Sequence, residues 1–282
     1  KVTTIEVPAS VESTMSAADA KLYVDNTTTI TVNSSATKLN ITGYTNQDLN
    51  TINGNAKLAV VTADGANVES TKLPNNDVAT INIGGASNTM TSTDAAAYAV
   101  VGHDADKITI DTGATLTLST YTTEDLSSIT KSNGGTLNVT SNSEATFNAA
   151  KLTTSNVSSY TLLSSGSISM TAAQIVTFDD SKITTNGGTL NVTSYGSEDL
   201  SGLTKTLGSI NVTTGNNASI SESTLPNAKI TLLTIDGTGN TMTSAHASNY
   251  GTNGAKITVN SGSVLALSAY TNNNLSSITN NG

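Results

Sequence analysis

The sequence predicts an all-β fold: a right-handed parallel β-helix, or β-solenoid, with about 25 residues per coil and a super-repeat of about 75 residues made of three coils. Three observations predict it. An apolar-x-apolar phrase followed by Thr, Ser or Val recurs down the chain, as "LNIT" at Leu39, "LAVV" at Leu58, "LTLS" at Leu116, "LNVT" at Leu137 and Leu190, "INVT" at Ile210 and "LALS" at Leu265. With the methionine phrases counted in the same series, every third member is followed by a tyrosine and an Asp-Leu or Asn-Leu pair. The composition, with 12% charged and 4% aromatic residues, three prolines and no Trp or Cys, is poor material for a helical globule built on large side chains.

In chain order, "TIEV" at Thr4 reads as a strand ahead of Met15, the first methionine. All four methionines open similar phrases, "MSAADAKLY", "MTSTDAAAY", "MTAAQIVTF" and "MTSAHASNY", and "ISMT" from Ile168 puts Met in the second apolar slot of the strand phrase. That slot runs Met15, Ile41, Val60, Met90, Leu118, Val139, Met170, Val192, Val212, Met242 and Leu267, in steps of 19 to 31 residues. The methionines are therefore expected to be four copies of one core position. The tyrosine phrase marks the super-repeat: Tyr44 with Asp48 and Leu49, Tyr121 with Asp125 and Leu126, Tyr195 with Asp199 and Leu200, and Tyr270 with Asn274 and Leu275.

Between the markers lie second strands, "KITI" at Lys107, "SSIT" at Ser127, "KITT" at Lys182 and "KITV" at Lys256, joined to the marker strands by turns such as "DTGAT" and "TNGGT". Gly and Asn in these turns tolerate positive φ, which lets the chain bend sharply. In "TLNVTS", alternation sends Leu137 and Val139 inward and Asn138 and Thr140 outward. "YTTEDLSSI" carries a helix-start pattern good for a turn or two of helix. A coil this small buries its apolar face only against a neighbour above and below, which is what stacking provides. A leucine-rich-repeat-like solenoid is the alternative, because the period and the "DLSSI" segment suit it. Residues 1–282 are expected to form one continuous β-solenoid repeat domain, a segment of a longer protein.

Twelve Lys and no Arg stand against 21 acidic residues, giving a net charge of −9. Phosphate binding needs clustered basic residues, so no nucleic-acid partner is expected. No window approaches 18 continuous apolar residues, so no membrane span is expected. The acidic residues are scattered and Arg is absent, so no enzymatic role is expected, although parallel β-helices include polysaccharide-active enzymes. His103 and His246 read as solvated surface residues. "GHDADKI" and "TFDDSKI" each set two aspartates before a Lys-Ile strand, which makes Asp104, Asp106, Asp179 and Asp180 candidate Ca2+ ligands. No cofactor is required by this pattern; Ca2+ is the ion these pairs could hold. The tyrosine row is read either as corner residues packing over each coil or as a spaced contact row for glycans. Nine Asn-x-Ser/Thr sequons, at Asn26, Asn33, Asn40, Asn138, Asn156, Asn191, Asn211, Asn217 and Asn274, follow from a chain this rich in Asn, Ser and Thr.

Phrases such as "MTAAQ", "LNVTSYGSEDLSGLT" and "KITTNGGTLNVT", in a Cys-free, acidic chain rich in Thr, Ser, Asn and Ala, resemble the repeat regions of secreted bacterial surface proteins, S-layer proteins and large adhesins among them. The resemblance covers essentially the whole chain, rests on pattern and composition, and carries no functional residue to these positions. It implies a β-solenoid, export across the envelope and frequent Ca2+ dependence. The expected function is a structural, extracellular cell-surface protein: a rigid rod within a self-assembling layer, filament or adhesin stalk, whose partners are copies of itself. A glycan-binding surface or phage-fibre module is the alternative.

Overall fold

The computed structural model describes residues 2–73, 75–99, 108–148 and 151–282. Strands make up 42% and helices 13% of the structure, and every strand pair among the described residues is parallel. The chain divides into two compact units, Lys1–Thr140 with Ala150–Ser158, and Ser141–Ala149 with Ser159–Gly282.

In the first unit, alternation of apolar and polar residues sets the register of two ladders. Strands Glu12–Ser16, Lys38–Tyr44, Leu58–Thr62, Val78–Ile83, Ile108–Ile110 and Ile129–Lys131 pair in succession, stacking Met15, Ile41, Val60, Ile81, Ile108 and Ile129 in one inward column. Strands Asn67–Val68, Asn88–Thr91, Thr115–Ser119 and Thr136–Ser141 form the other, with the column Val68, Met90, Leu118 and Val139. A shorter ladder pairs Thr4–Val7 with Thr29–Val32. A slip of one residue would turn each of these columns toward water, so burial of Ile41, Val60, Ile81, Met90, Leu118 and Val139 holds the register.

The second unit repeats this pairing about 150 residues later along the chain. Met170, Val192, Val212, Leu233, Ile257 and Ile278 form one column, on strands Ser167–Thr171, Ile183–Tyr195, Thr204–Thr214, Leu232–Ile235, Lys256–Val259 and Ile278–Asn280. Ile220, Met242 and Leu267 form the other. The strand Ser159–Leu163 pairs with the first part of Ile183–Tyr195.

The marker series is thus not one column. Val60 stacks on Ile81 and Met90 on Val68; Val212 stacks on Leu233 and Met242 on Ile220. The 30-residue steps are where a ladder starts afresh, and Met15 and Met170 stand in one kind of column, Met90 and Met242 in the other. What the methionines share is the junction that follows them. Each leads from a strand directly into a short helix: α1 (Ala17–Asp25), α2 (Ser92–Ala99), α3 (Ala172–Phe178) and α4 (Ser244–Thr252).

The cause of each helix is local. Ser16, Thr91, Thr171 and Thr243 accept from the backbone N–H three residues on, at 3.0, 3.0, 3.1 and 3.2 Å, which satisfies a donor that a helix start leaves free. At α3 the Gln174 side chain returns the bond to Thr171 N at 2.8 Å, completing a capping box. Apolar residues three apart, Ala17 with Ala20, Ala95 with Tyr98, Ile175 with Phe178 and Ala247 with Tyr250, then bury one face of each helix.

Candidate functional site

The Tyr and Asp-Leu phrase is a turn held by its own side chains. Gln47 Oε1 accepts from Thr45 N and Asn46 N at 2.9 and 3.3 Å; Glu124 Oε2 accepts from Thr122 N and Thr123 N at 2.7 and 3.0 Å; Glu198 Oε2 accepts from Gly196 N and Ser197 N at 2.7 and 3.0 Å. The next residue, Asp48, Asp125, Asp199 or Asn274, accepts through Oδ1 from the N–H two positions on, at 2.9 to 3.2 Å. Leu49, Leu126 and Leu200 are buried, and their N–H groups donate to the carbonyls of Lys72, Lys151 and Thr224 at 2.7, 2.7 and 2.8 Å. No helix forms there, because the Glu or Gln side chain takes the amides behind it instead of opening a helical turn ahead.

These acids are committed to the backbone. Burial works against ionisation of Glu124, but hydrogen bonds from Thr122 and Thr123 outweigh it and hold the carboxyl below its usual range. The Ser127 and Ser201 side chains and backbone do the same for Asp125 and Asp199. Groups stabilised as anions are poor proton donors at neutral pH.

Tyr44, Tyr121 and Tyr195 are fully buried, so these rings pack in the core and cannot form a contact row for glycans; Tyr270 is 62% exposed. Tyr195 Oη lies 3.0 Å from Thr224 Oγ1, and the helix tyrosines Tyr98 and Tyr250 donate to the carbonyls of Leu73 and Leu225 at 2.7 and 3.4 Å. Burial raises the phenols of Tyr44, Tyr98, Tyr121, Tyr195 and Tyr250, Tyr121 to about 12.

Asp104 and Asp106 lie outside the described residues, as does His103. Asp179, the residue after α3, accepts from Ser181 N at 3.2 Å and from its hydroxyl, which holds its carboxyl low; its other oxygen is 3.9 Å from Lys182 Nζ. Asp180 turns to a different donor, Gly202 N, at 2.7 Å. The two carboxylates thus serve separate backbone ties, and among the described residues no three His, Asp or Glu side chains converge.

His246 is not a surface residue: it is 5% exposed, because the third position of α4 points back at the turn of the neighbouring layer. Its Nε2 approaches Glu222 Oε2 to 2.9 Å without a hydrogen-bond angle, and its ring lies 5.1 Å from that of Tyr250. In the first unit the same position, Asp94, accepts from the N–H and hydroxyl of Ser70 at 3.0 and 2.7 Å. Burial opposes the Asp94 charge, but the bonds from Ser70 and Thr91 outweigh it and lower the carboxyl. The position ties helix to turn through Asp94 in the first unit, whereas His246 in the second packs against Glu222 and Tyr250.

The sequence pattern also passed over Asn88 and Asn240, two residues before a methionine and both fully buried. Asn240 Oδ1 accepts from Ala218 N at 2.9 Å and its amide donates to the carbonyls of Asp236 and Gly237 at 3.1 Å; Asn88 makes the equivalent bonds to Ala66 N and Gly85 O. The shared "NTMT" was the available signal. An open cleft of about 350 Å3 between α4 and the turn after Tyr270 is lined by Ser248, Thr252, Lys256, Asn274 and Ser276, with Lys256 its one charged group. Compared with protein-family models, curated proteins and solved structures, the chain gives no match.

Proposed function

We propose that the chain is a structural, extracellular cell-surface protein whose parallel ladders coil as a right-handed β-solenoid, a rigid rod within a self-assembling layer, filament or stalk. The observation that carries this reading is the reuse of one set of ties in successive layers. The Leu-to-carbonyl bond, the side-chain-capped turn and the bond from a helix tyrosine to a carbonyl recur with the repeat, so polar residues serve layer-to-layer cohesion. Stacking also sets like residues side by side on the outer face, as in Thr213, Thr234, Thr258 and Thr279. Layers about 4.8 Å apart would then offer a copy of the chain the same contacts at regular intervals.

Export and Ca2+ dependence belong to this reading through the resemblance to bacterial surface repeats. Electron microscopy of the purified chain with and without millimolar Ca2+ tests it. Ordered sheets or filaments are expected, and isolated particles under every condition would sink it.

A further inference from the structure

Five Asn-Gly pairs occur in the chain, at Asn53, Asn133, Asn186, Asn253 and Asn281. Such a pair carries chemistry of its own, because the glycine nitrogen can attack the asparagine side-chain carbonyl with no Cβ in the way. The attack needs that nitrogen free and the asparagine able to rotate onto it. Backbone pairing therefore decides which pairs react. Gly54 N donates to Asp77 Oδ1 at 2.8 Å, Gly254 N to Gly251 O at 3.1 Å and Gly282 N to Asn280 Oδ1 at 3.2 Å. Asn186 and Gly187 lie inside the strand Ile183–Tyr195, both in register with Leu163 on one side, and Asn186 with Leu207 on the other. Extended backbone pinned in two ladders keeps the Asn186 side chain from swinging onto Gly187 N.

Asn133 opens the same eight-residue phrase as Asn186, "NGGTLNVT", but stands in a turn between the strands Ile129–Lys131 and Thr136–Ser141. Gly135 N donates to Ser132 O at 2.9 Å and closes that turn, with Gly134 at a φ of +88° that glycine adopts without strain. Asn133 and Gly134 are both exposed, and among the described residues neither the Asn133 side chain nor Gly134 N has a hydrogen-bond partner. The carbonyls of the turn are the occupied groups. Asn133 O accepts from Thr112 Oγ1 at 2.9 Å and Gly134 O from Gly113 N at 3.1 Å, which ties the turn to the neighbouring layer.

We propose that Asn133 is a site of spontaneous modification, ageing to aspartate and isoaspartate, and that this change loosens the turn from the layer beside it. Gly134 N gives its proton to water or hydroxide and bonds to Asn133 Cγ; the Cγ–Nδ2 bond breaks, ammonia leaves, and a five-membered imide results. Water then opens the imide. Hydrolysis at Cγ gives aspartate, whereas hydrolysis at the main-chain carbonyl carbon gives isoaspartate, whose backbone runs through Cβ and Cγ and is one methylene longer. Either product adds a negative charge to an acidic chain. In isoaspartate the former main-chain carbonyl becomes a carboxylate off the backbone, so the acceptor that Thr112 uses leaves its place. The chemistry needs only water and does not rest on the rod reading.

Peptide mapping by mass spectrometry of the purified 282-residue chain, held for weeks at mildly alkaline pH, tests this, with isoaspartate read separately by methyltransferase labelling. In the folded chain Asn133 should convert about tenfold faster than Asn186, which reacts only after its ladders open locally. In concentrated urea the two should convert at closely similar rates, because their phrase is the same and only the fold separates them. The urea midpoint of the wild type should fall as isoaspartate accumulates. Asn133→Gln, whose longer side chain must close a six-membered ring and does so far more slowly, should keep its midpoint through the same incubation. Equal rates at Asn133 and Asn186 in the folded chain would overturn the selection of this site by the fold. An Asn133 that stays intact in the folded chain while it converts in urea would overturn the site itself. A wild-type midpoint that holds, or one that falls equally in Asn133→Gln, would overturn the loosening.

Discussion

Six tyrosines are fully buried, and their hydroxyls are not equally served. Tyr98 Oη has the Leu73 carbonyl at 2.7 Å, whereas Tyr44 Oη has no hydrogen-bond partner. A buried hydroxyl without a partner costs free energy that a Phe avoids, while removing a paired one leaves an orphaned carbonyl. Tyr44→Phe should therefore raise stability by up to about 1 kcal/mol and Tyr98→Phe lower it by about 1 kcal/mol, read from urea midpoints. The phenols also set an alkaline limit. Burial raises Tyr44, Tyr98, Tyr121, Tyr195 and Tyr250 above their unfolded value. Their contribution is complete below pH about 10 and is lost as pH climbs through the folded values. Stability should hold up to pH about 10 and fall steeply beyond it; a midpoint unchanged up to pH 12, the value to which Tyr121 is raised, would contradict this.

At the scale of the element, the close approaches between stacked strands tolerate little. A Cβ on Gly188 would lie 2.5 Å from the Leu163 carbonyl oxygen and 2.6 Å from that of Gly166, whereas Gly113 has open space and only its φ of +79° to accommodate. Gly188→Ala should cost about 3 kcal/mol, and Gly113→Ala about 1 kcal/mol. Equal losses would mean that close approach of layers is not the reason for glycine. Asn240→Ala should cost about 2 kcal/mol, since it strands the Ala218 N–H in the core. The strands and their inward faces were legible because a period of two is written directly in phrases such as "TLNVTS". The helices were passed over, although Ser or Thr after Met with a polar residue three places on is a cap signal. Small alanines and seven to nine residues leave little helical periodicity to read. In "YTTEDL" the same kind of signal misled, because a carboxylate that can cap a helix can also close a turn. The fresh start of a ladder at each 30-residue step depends on which loop packs on which layer, and no local phrase records that. Of the candidate site, the corner role of the tyrosines was legible, but the burial of His246 was not, since its counterparts Asp19, Asp94 and Gln174 made the position look permissive.

For the molecule as a whole, the same pairing network appears twice, Met15 to Ile129 and again Met170 to Ile278, with sequences that agree in pattern more than in identity. What is kept is the alternation, the turn residues and the ties, which is what a stack of layers needs; the outward residues vary. The outer surface is therefore where charge is free to accumulate, and the chain carries −9 with no Arg to form bidentate ion pairs between copies. Copies repel at low ionic strength, where the screening length is about 30 Å, and much less at physiological salt, where it is about 8 Å. The outward threonine rows are uncharged, so salt removes the repulsion without weakening contacts made through them. Self-association measured by sedimentation should accordingly strengthen as NaCl rises from about 0.01 M to about 0.15 M. Weakening over that range would mean that opposite charges, and not uncharged rows, hold the copies together.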